Sequence, residues 1–252
     1  MQIRWQHKYE RSPGKWVFVP TEESKNEGIR IKDVIEQRWH PPEYYFHLRS
    51  GGHVAALRSH AASRIFLRLD IQDFFGSVTR SRVTRCLKSM FDYTEARRIA
   101  TASTVKHPTQ DNKVILPYGF VQSPILASLA LAQSALGSCL ERLSKQRRIH
   151  VSVYMDDIIV SSNSEKYLTN AQSQLEDAAK KARFAFHSDK TEGPANMVTA
   201  FNIELSPNDL SVASHRLQQF AETYRSSDNG LQKEGIAGYV NSVNPNQVAE
   251  LL

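Results

Sequence analysis

His150-Val151-Ser152-Val153-Tyr154-Met155-Asp156-Asp157-Ile158-Ile159-Val160-Ser161 is the stretch on which the fold turns. Two short β-branched runs flank a tight turn, the pattern of an antiparallel hairpin, and the turn carries two adjacent carboxylates. Far upstream, Ile65-Phe66-Leu67-Arg68-Leu69-Asp70-Ile71 reads as a strand of a central sheet. It runs into the acidic, aromatic segment Asp70-Ile71-Gln72-Asp73-Phe74-Phe75-Gly76-Ser77. With the hairpin paired beside this strand, Asp70, Asp156 and Asp157 converge at one sheet edge. Unpaired, they repel. The simplest compensation is one or two hard divalent cations, which take oxygen ligands and keep positions open for phosphate. The plain alternative is a set of solvated turn aspartates.

Outward from these strands the text alternates helix and strand. Lys15-Trp16-Val17-Phe18-Val19 and Ile29-Arg30-Ile31-Lys32 read as a hairpin across the loop Thr21 to Gly28, with Arg30 and Lys32 alternating onto one strand face. Two cations so placed suit a triphosphate cradle or, equally, a solvated face. Val54 to Ala62 reads as a short helix, Ser81 to Ala102 as a basic helical stretch and Lys106 to Lys113 as a loop. Pro124 to Leu143 reads as one long buried helix, ending in the basic Arg142 to Arg148 segment. Glu165 to Ala185 is amphipathic, Val198 to Leu205 reads as a last strand, and about two short helices end the chain.

The composition excludes several classes. With 252 residues, 40% hydrophobic and 23% charged, the chain has the apolar material for a core and is not a disordered polymer. Its net charge of +6 favours a polyanionic partner. From Ser206 onward 3 basic and 5 acidic residues give −2, so residues 1 to 205 carry +8 and do the electrostatic holding. Two scattered cysteines, Cys86 and Cys139, make no disulfide framework and point to a reducing cytoplasm. The start Met1 to Lys8 lacks a signal-peptide apolar run. Pro124 to Leu143 is too polar for a span, so no membrane role is expected.

Three segments, Asp70-Ile71-Gln72-Asp73-Phe74-Phe75, Leu116-Pro117-Tyr118-Gly119-Phe120-Val121-Gln122-Ser123-Pro124 and Tyr154-Met155-Asp156-Asp157, resemble in order and spacing the palm motifs of reverse transcriptases. A fourth, Ser188-Asp189-Lys190-Thr191, resembles the lysine-bearing segment that follows the hairpin, and Phe201 to Leu205 stands where the family has its primer-grip hairpin. The resemblance covers about residues 10 to 205 and is closest in flavour to bacterial retron, group II intron and phage-defence reverse transcriptases. It implies an α/β (α+β) right-hand polymerase: fingers at 1–65 and 80–117, palm at 66–79 and 118–205, and a small helical thumb at 206–252.

The resemblance also implies roles. Asp70, Asp156 and Asp157 hold two Mg²⁺ ions, replaceable by Mn²⁺, for nucleotidyl transfer. Lys190 neutralises or protonates the leaving pyrophosphate. Phe75 packs under the sugar and excludes a 2′-hydroxyl, the alternative being core packing. Gly119 lets backbone approach the nascent pair, and Gln122 joins Phe75, Gly119, Arg30 and Lys32 in the substrate-binding set. The implied activity is RNA-directed DNA synthesis from an RNA template, a DNA or RNA primer and dNTPs. A retron or antiphage defence system is the implied setting, with a non-coding RNA and an effector protein as partners.

Two departures matter. Tyr118 stands where many relatives have Gln, and Gly76 where an acidic residue is common. Tyr118 keeps alive a second reading, a template-independent or protein-primed DNA polymerase of abortive-infection type. A third is a non-catalytic RNA-binding subunit on a polymerase scaffold, against which stand the three retained carboxylates. The short chain leaves no room for maturase, endonuclease or RNase H domains, so such activities are expected from a partner.

Overall fold

The computed structural model describes residues 4–252. In chain order, a hairpin of β1 (Trp5–Ser12) and β2 (Lys15–Pro20) leads to α1 (Glu22–Arg38), α2 (Gly52–Arg58) and β3 (Ile65–Asp70). Helices α3 (Arg80–Leu87) and α4 (Tyr93–Ala102), the strand pair β4 (Val105–Lys106) and β5 (Val114–Ile115), and helices α5 (Ser123–Ala132) and α6 (Ala135–Ser144) follow. Next come β6 (His150–Tyr154), β7 (Asp157–Ser162) and α7 (Glu165–Ala182), then β8 (Glu192–Ala195), β9 (Val198–Ala200), β10 (Ile203–Ser206) and β11 (Asp209–Val212). Helices α8 (Ser214–Ser226) and α9 (Gly230–Val243) and a 3₁₀ segment, Pro245–Leu251, close the chain.

The chain divides into two compact units. The first takes the residues up to Glu43, Ile71–Glu141 and Glu176–Ala185; the second takes Tyr44–Asp70, Arg142–Leu175 and Phe186–Leu252.

In the first unit, Phe18 of β2 packs with Val105 and Phe120 beneath Trp5 and Trp16. Residues Ile29 to Lys32 are helical, not the expected strand. Thr21 caps α1 by accepting the Ser24 N–H at 3.2 Å, Glu22 and Glu23 sit in the first turn where the helix dipole favours acid, and Ser24, Gly28, Ile31 and Ile35 make one buried stripe. The N-terminal hairpin is β1 with β2 instead. The basic stretch is two helices, α3 and α4, and the expected loop after it is bounded by the paired strands β4 and β5.

The long helix expected from Pro124 to Leu143 is broken at Gln133-Ser134, where α5 and α6 bend by 76°. The Ser134 hydroxyl donates to Leu131 O at 2.7 Å and accepts the Gly137 N–H at 3.1 Å. A serine that ends one helix and caps the next costs no buried polar group. No single helix among the described residues is long and apolar enough to cross a membrane. Cys86 and Cys139 are buried free thiols.

In the second unit, β6, β7, β3 and β8 form an antiparallel sheet in that order. Near-continuous apolar text makes β3 and β7 its buried middle strands. Phe66 and Ile159 join Leu57, Ile203, Leu217 and Val240 in one apolar cluster, which seats the small sheet β9–β11 and helices α8 and α9 on this unit. The expected last strand, Val198 to Leu205, is really two, β9 and β10, because Phe201 and Asn202 both take left-handed backbone (φ 58° and 60°) and reverse the chain.

Candidate active site

The ends of β3 and β7 define the site in the second unit. Strand register sets Asp70, the last residue of β3, opposite Asp157, the first of β7, and Asp157 in turn opposite Tyr154 of β6. Asp156 lies in the two-residue turn. The turn is tight enough that Met155 takes φ 60°, and its N–H is held by His47 Nδ1 at 3.1 Å. Burial pushes the His47 imidazole down to about 4, so this nitrogen stays an acceptor at neutral pH.

The buried carboxylates are not left bare. Asp70 is 3% exposed, and the Lys190 ammonium donates to both its oxygens, at 3.1 and 3.0 Å. The His187 N–H donates to the Asp70 carbonyl at 2.9 Å, and its ring Nε2 stands 3.9 Å from the carboxylate. Asp157 receives Arg68 Nε and Nη2, each at 3.0 Å on one oxygen. The third arm of the same guanidinium donates to Glu192 Oε1 at 3.1 Å and to Thr199 O at 2.6 Å. Burial nevertheless pushes the Asp157 carboxyl up to about 6; Arg68 pulls it back, while Asp156 and Asp70 push it further.

Beside the turn, Tyr154 meets the rings of His47, His53 and Phe201 at centroid distances of 5.8, 5.9 and 5.2 Å. Tyr239 of α9 bonds His53 through its hydroxyl at 3.2 Å.

Three acidic oxygen donors are the right chemistry for Mg²⁺ or Mn²⁺. As the side chains stand, among the described residues no three His, Cys, Asp or Glu groups are gathered to hold a metal ion. Lys190 and Arg68 hold Asp70 and Asp157 in ion pairs.

The remaining expected residues lie in the first unit. Phe75 is 6% exposed and its ring meets Tyr118 edge-on at 4.6 Å. Gly119 has φ 101°, and a Cβ there would come within 2.2 Å of Phe18 O, so β2 can only approach over a glycine. Phe18 N–H donates to Tyr118 O at 2.9 Å across this contact. Gln122 is 2% exposed: its Nε2 donates to Ser103 Oγ at 3.3 Å, and its Oε1 fills the space where a Cβ of Gly28 would sit, at 2.3 Å. Arg30 and Lys32 share no strand face. Arg30 is exposed on α1, and Lys32 pairs with Glu36 one turn on at 2.9 Å.

Sequence reasoning missed His47, Arg68, His187 and Glu192. For Arg68 a signal existed, since a lone cation in an otherwise apolar strand must find an acid. Glu192, His187 and His47 are distant in sequence and had none.

A family model of reverse transcriptases (RNA-dependent DNA polymerases) matches residues 27–204. No curated protein matches the chain. Among solved structures, a foamy viral protease–reverse transcriptase in complex with double-stranded DNA has TM-score 0.51 and 14% identity, over 92% of this chain and 34% of that one. A telomerase from Candida albicans in complex with a fragment of telomeric RNA has TM-score 0.53 and 8% identity, over 91% and 47%. The chain thus spans about a third to a half of the length of these structures. The likeness is one of fold, and the mixed α/β polymerase fold expected from the sequence is the one found.

Proposed function

Since the chain belongs to the reverse transcriptase family, we propose that it copies RNA into DNA by metal-assisted nucleotidyl transfer at Asp70, Asp156 and Asp157. The observation that carries this reading is the register of β3 against β7, which sets Asp70 opposite Asp157 with Asp156 one residue before it. Bound there, Mg²⁺ or Mn²⁺ supplies Lewis-acid activation of a primer 3′-hydroxyl and of the triphosphate. The residues supply the rest. Asp70 becomes available to a cation once Lys190 leaves it. The freed ammonium is then a proton donor for pyrophosphate. Phe75, buried against Tyr118, is the steric selector for deoxynucleotides. The hand divides as fingers at 1–65 and 80–117, palm at 66–79 and 118–205 and thumb at 206–252. An RNA template and a DNA or RNA primer are the partners, in keeping with the basic body of the chain. The resemblance to bacterial retron and phage-defence enzymes supports a defence setting with a non-coding RNA and an effector protein.

The test is extension of a primer on an RNA template with dNTPs and Mg²⁺, beside a melting curve. Wild type extends and Asp156→Asn, still folded, loses about 10²-fold or more, the scale of a missing group at the reacting atoms. Equal extension by the variant overturns the assignment. Tyr118 favours one second reading: a ring packed on Phe75 replaces an amide that could bond the nascent pair. Extension that persists without any template selects template-independent synthesis.

A further inference from the structure

The first unit contains a cleft of about 500 Å³ lined by Arg82 and Arg85 of α3, Lys181 of α7 and Arg183 just beyond it. Ser77 and Gln133 add polar lining, and among the described residues no acidic one lines the cleft. Among the described residues none of the four cations forms an ion pair with a carboxylate.

Arg82 is fixed in place. Its guanidinium donates to Ser77 O and Ala182 O and lies 4.5 Å over the Phe184 ring. Burial lowers its pKa, and the positive fields of Arg85 and Arg183 act in the same direction. Like charges gathered in a partly buried cleft cost free energy unless an anion enters. Arg183 holds its place on a left-handed backbone, φ 57°, which ends α7 and turns the chain at the cleft.

We propose that this cleft binds the sugar–phosphate backbone of an RNA strand, through residues other than the proposed catalytic carboxylates. It rests on the reading of the chain as an RNA-handling polymerase. The cleft offers cations on two helices and no exposed ring on which a base could stack, Phe184 being 4% exposed. Phosphates, and not bases, are therefore what it reads. The binding is insensitive to sequence and sensitive to salt.

The experiment measures affinity for a short fluorescent single-stranded RNA across a salt series. Arg85 and Lys181 are exposed, so Arg85→Ala with Lys181→Ala leaves the packing alone. The slope of log K against log salt should fall in magnitude by about 1.4, or ~0.7 for each phosphate no longer neutralised. The charge-preserving pair Arg85→Lys with Lys181→Arg keeps the wild-type slope. Arg183→Gly, which the left-handed backbone accepts, lowers it by about 0.7. A slope unchanged in both the alanine pair and Arg183→Gly, with melting intact, overturns the proposal. Primer extension by the wild type separates the two readings. A shifted slope without DNA synthesis overturns the polymerase reading alone, and synthesis with an unshifted slope overturns the cleft alone.

Discussion

Lys190 grips Asp70 through both carboxylate oxygens, at 3.1 and 3.0 Å, although the lysine side chain is 41% exposed and the aspartate 5%. The ammonium thus stands where a hard cation would bond the same oxygens. Lys190→Ala leaves Asp70 buried without its donor, at a cost of about 1–3 kcal/mol. A divalent ion can fill that role for the variant more readily than for the wild type, in which it competes with Lys190. The melting gap between the two should therefore be wide in EDTA and narrow in Mg²⁺. A gap of the same width in both means that Lys190 does not compete for the cation position.

Arg68 serves three acceptors with one planar fork, bonding Asp157, Glu192 and Thr199 O. Arg68→Met strands a buried carboxylate and should cost about 3–5 kcal/mol in urea denaturation. Arg68→Lys recovers only part of this, because a point charge cannot reproduce the fork. Full recovery by lysine indicates that charge alone matters.

Phe75 is the proposed sugar selector, but its burial against Tyr118 also suits plain packing. Phe75→Val separates the two. The ratio of kcat/KM for a dNTP to that for its rNTP should drop by about 10-fold or more, since opening space for one small group is worth ~1–3 kcal/mol. An unchanged ratio in an active variant assigns the ring to the core.

The strands of the candidate site were legible because their chemistry is local. Apolar runs that end in Asp70 and begin at Asp157 announce buried strands whose tips carry charge. Helix α1 was not, for two reasons. Ile29-Arg30-Ile31-Lys32 alternates with period two, while the buried stripe is Ser24, Gly28, Ile31 and Ile35, half of it not apolar. Thr21 followed by Glu22-Glu23 was the helix-start signal that should have outweighed the alternation. Strand β1 is exposed almost throughout, so it carries no burial pattern to read. The ion pairs around the carboxylates were hidden for another reason: Arg68 and Glu192 are 124 residues apart, and only the β3–β8 pairing joins them.

His60 offers a test of the core of the second unit. It is fully buried, with Nδ1 2.7 Å from Ser161 Oγ and Nε2 2.8 Å from Ser152 Oγ. Ser161 spends its own proton on Ser63 Oγ at 2.9 Å, so Nδ1 donates, Nε2 accepts and the ring is neutral. Burial pushes its pKa from 6.5 to about 3, with the field of His150 acting the same way. Between those values the unfolded chain binds a proton that the folded chain refuses. Stability is therefore whole above pH 6.5 and falls as the pH drops towards 3, by about 1.4 kcal/mol per pH unit for this one group. His47, pushed down to about 4, adds a second proton over the upper part of that range. His60→Gln retains a donor and an acceptor but does not titrate. Urea denaturation between pH 7 and pH 4 should then show the variant losing stability less steeply than the wild type, by one proton's slope. Parallel pH profiles would mean that the ring is protonated in the fold and the neutral serine network is wrong.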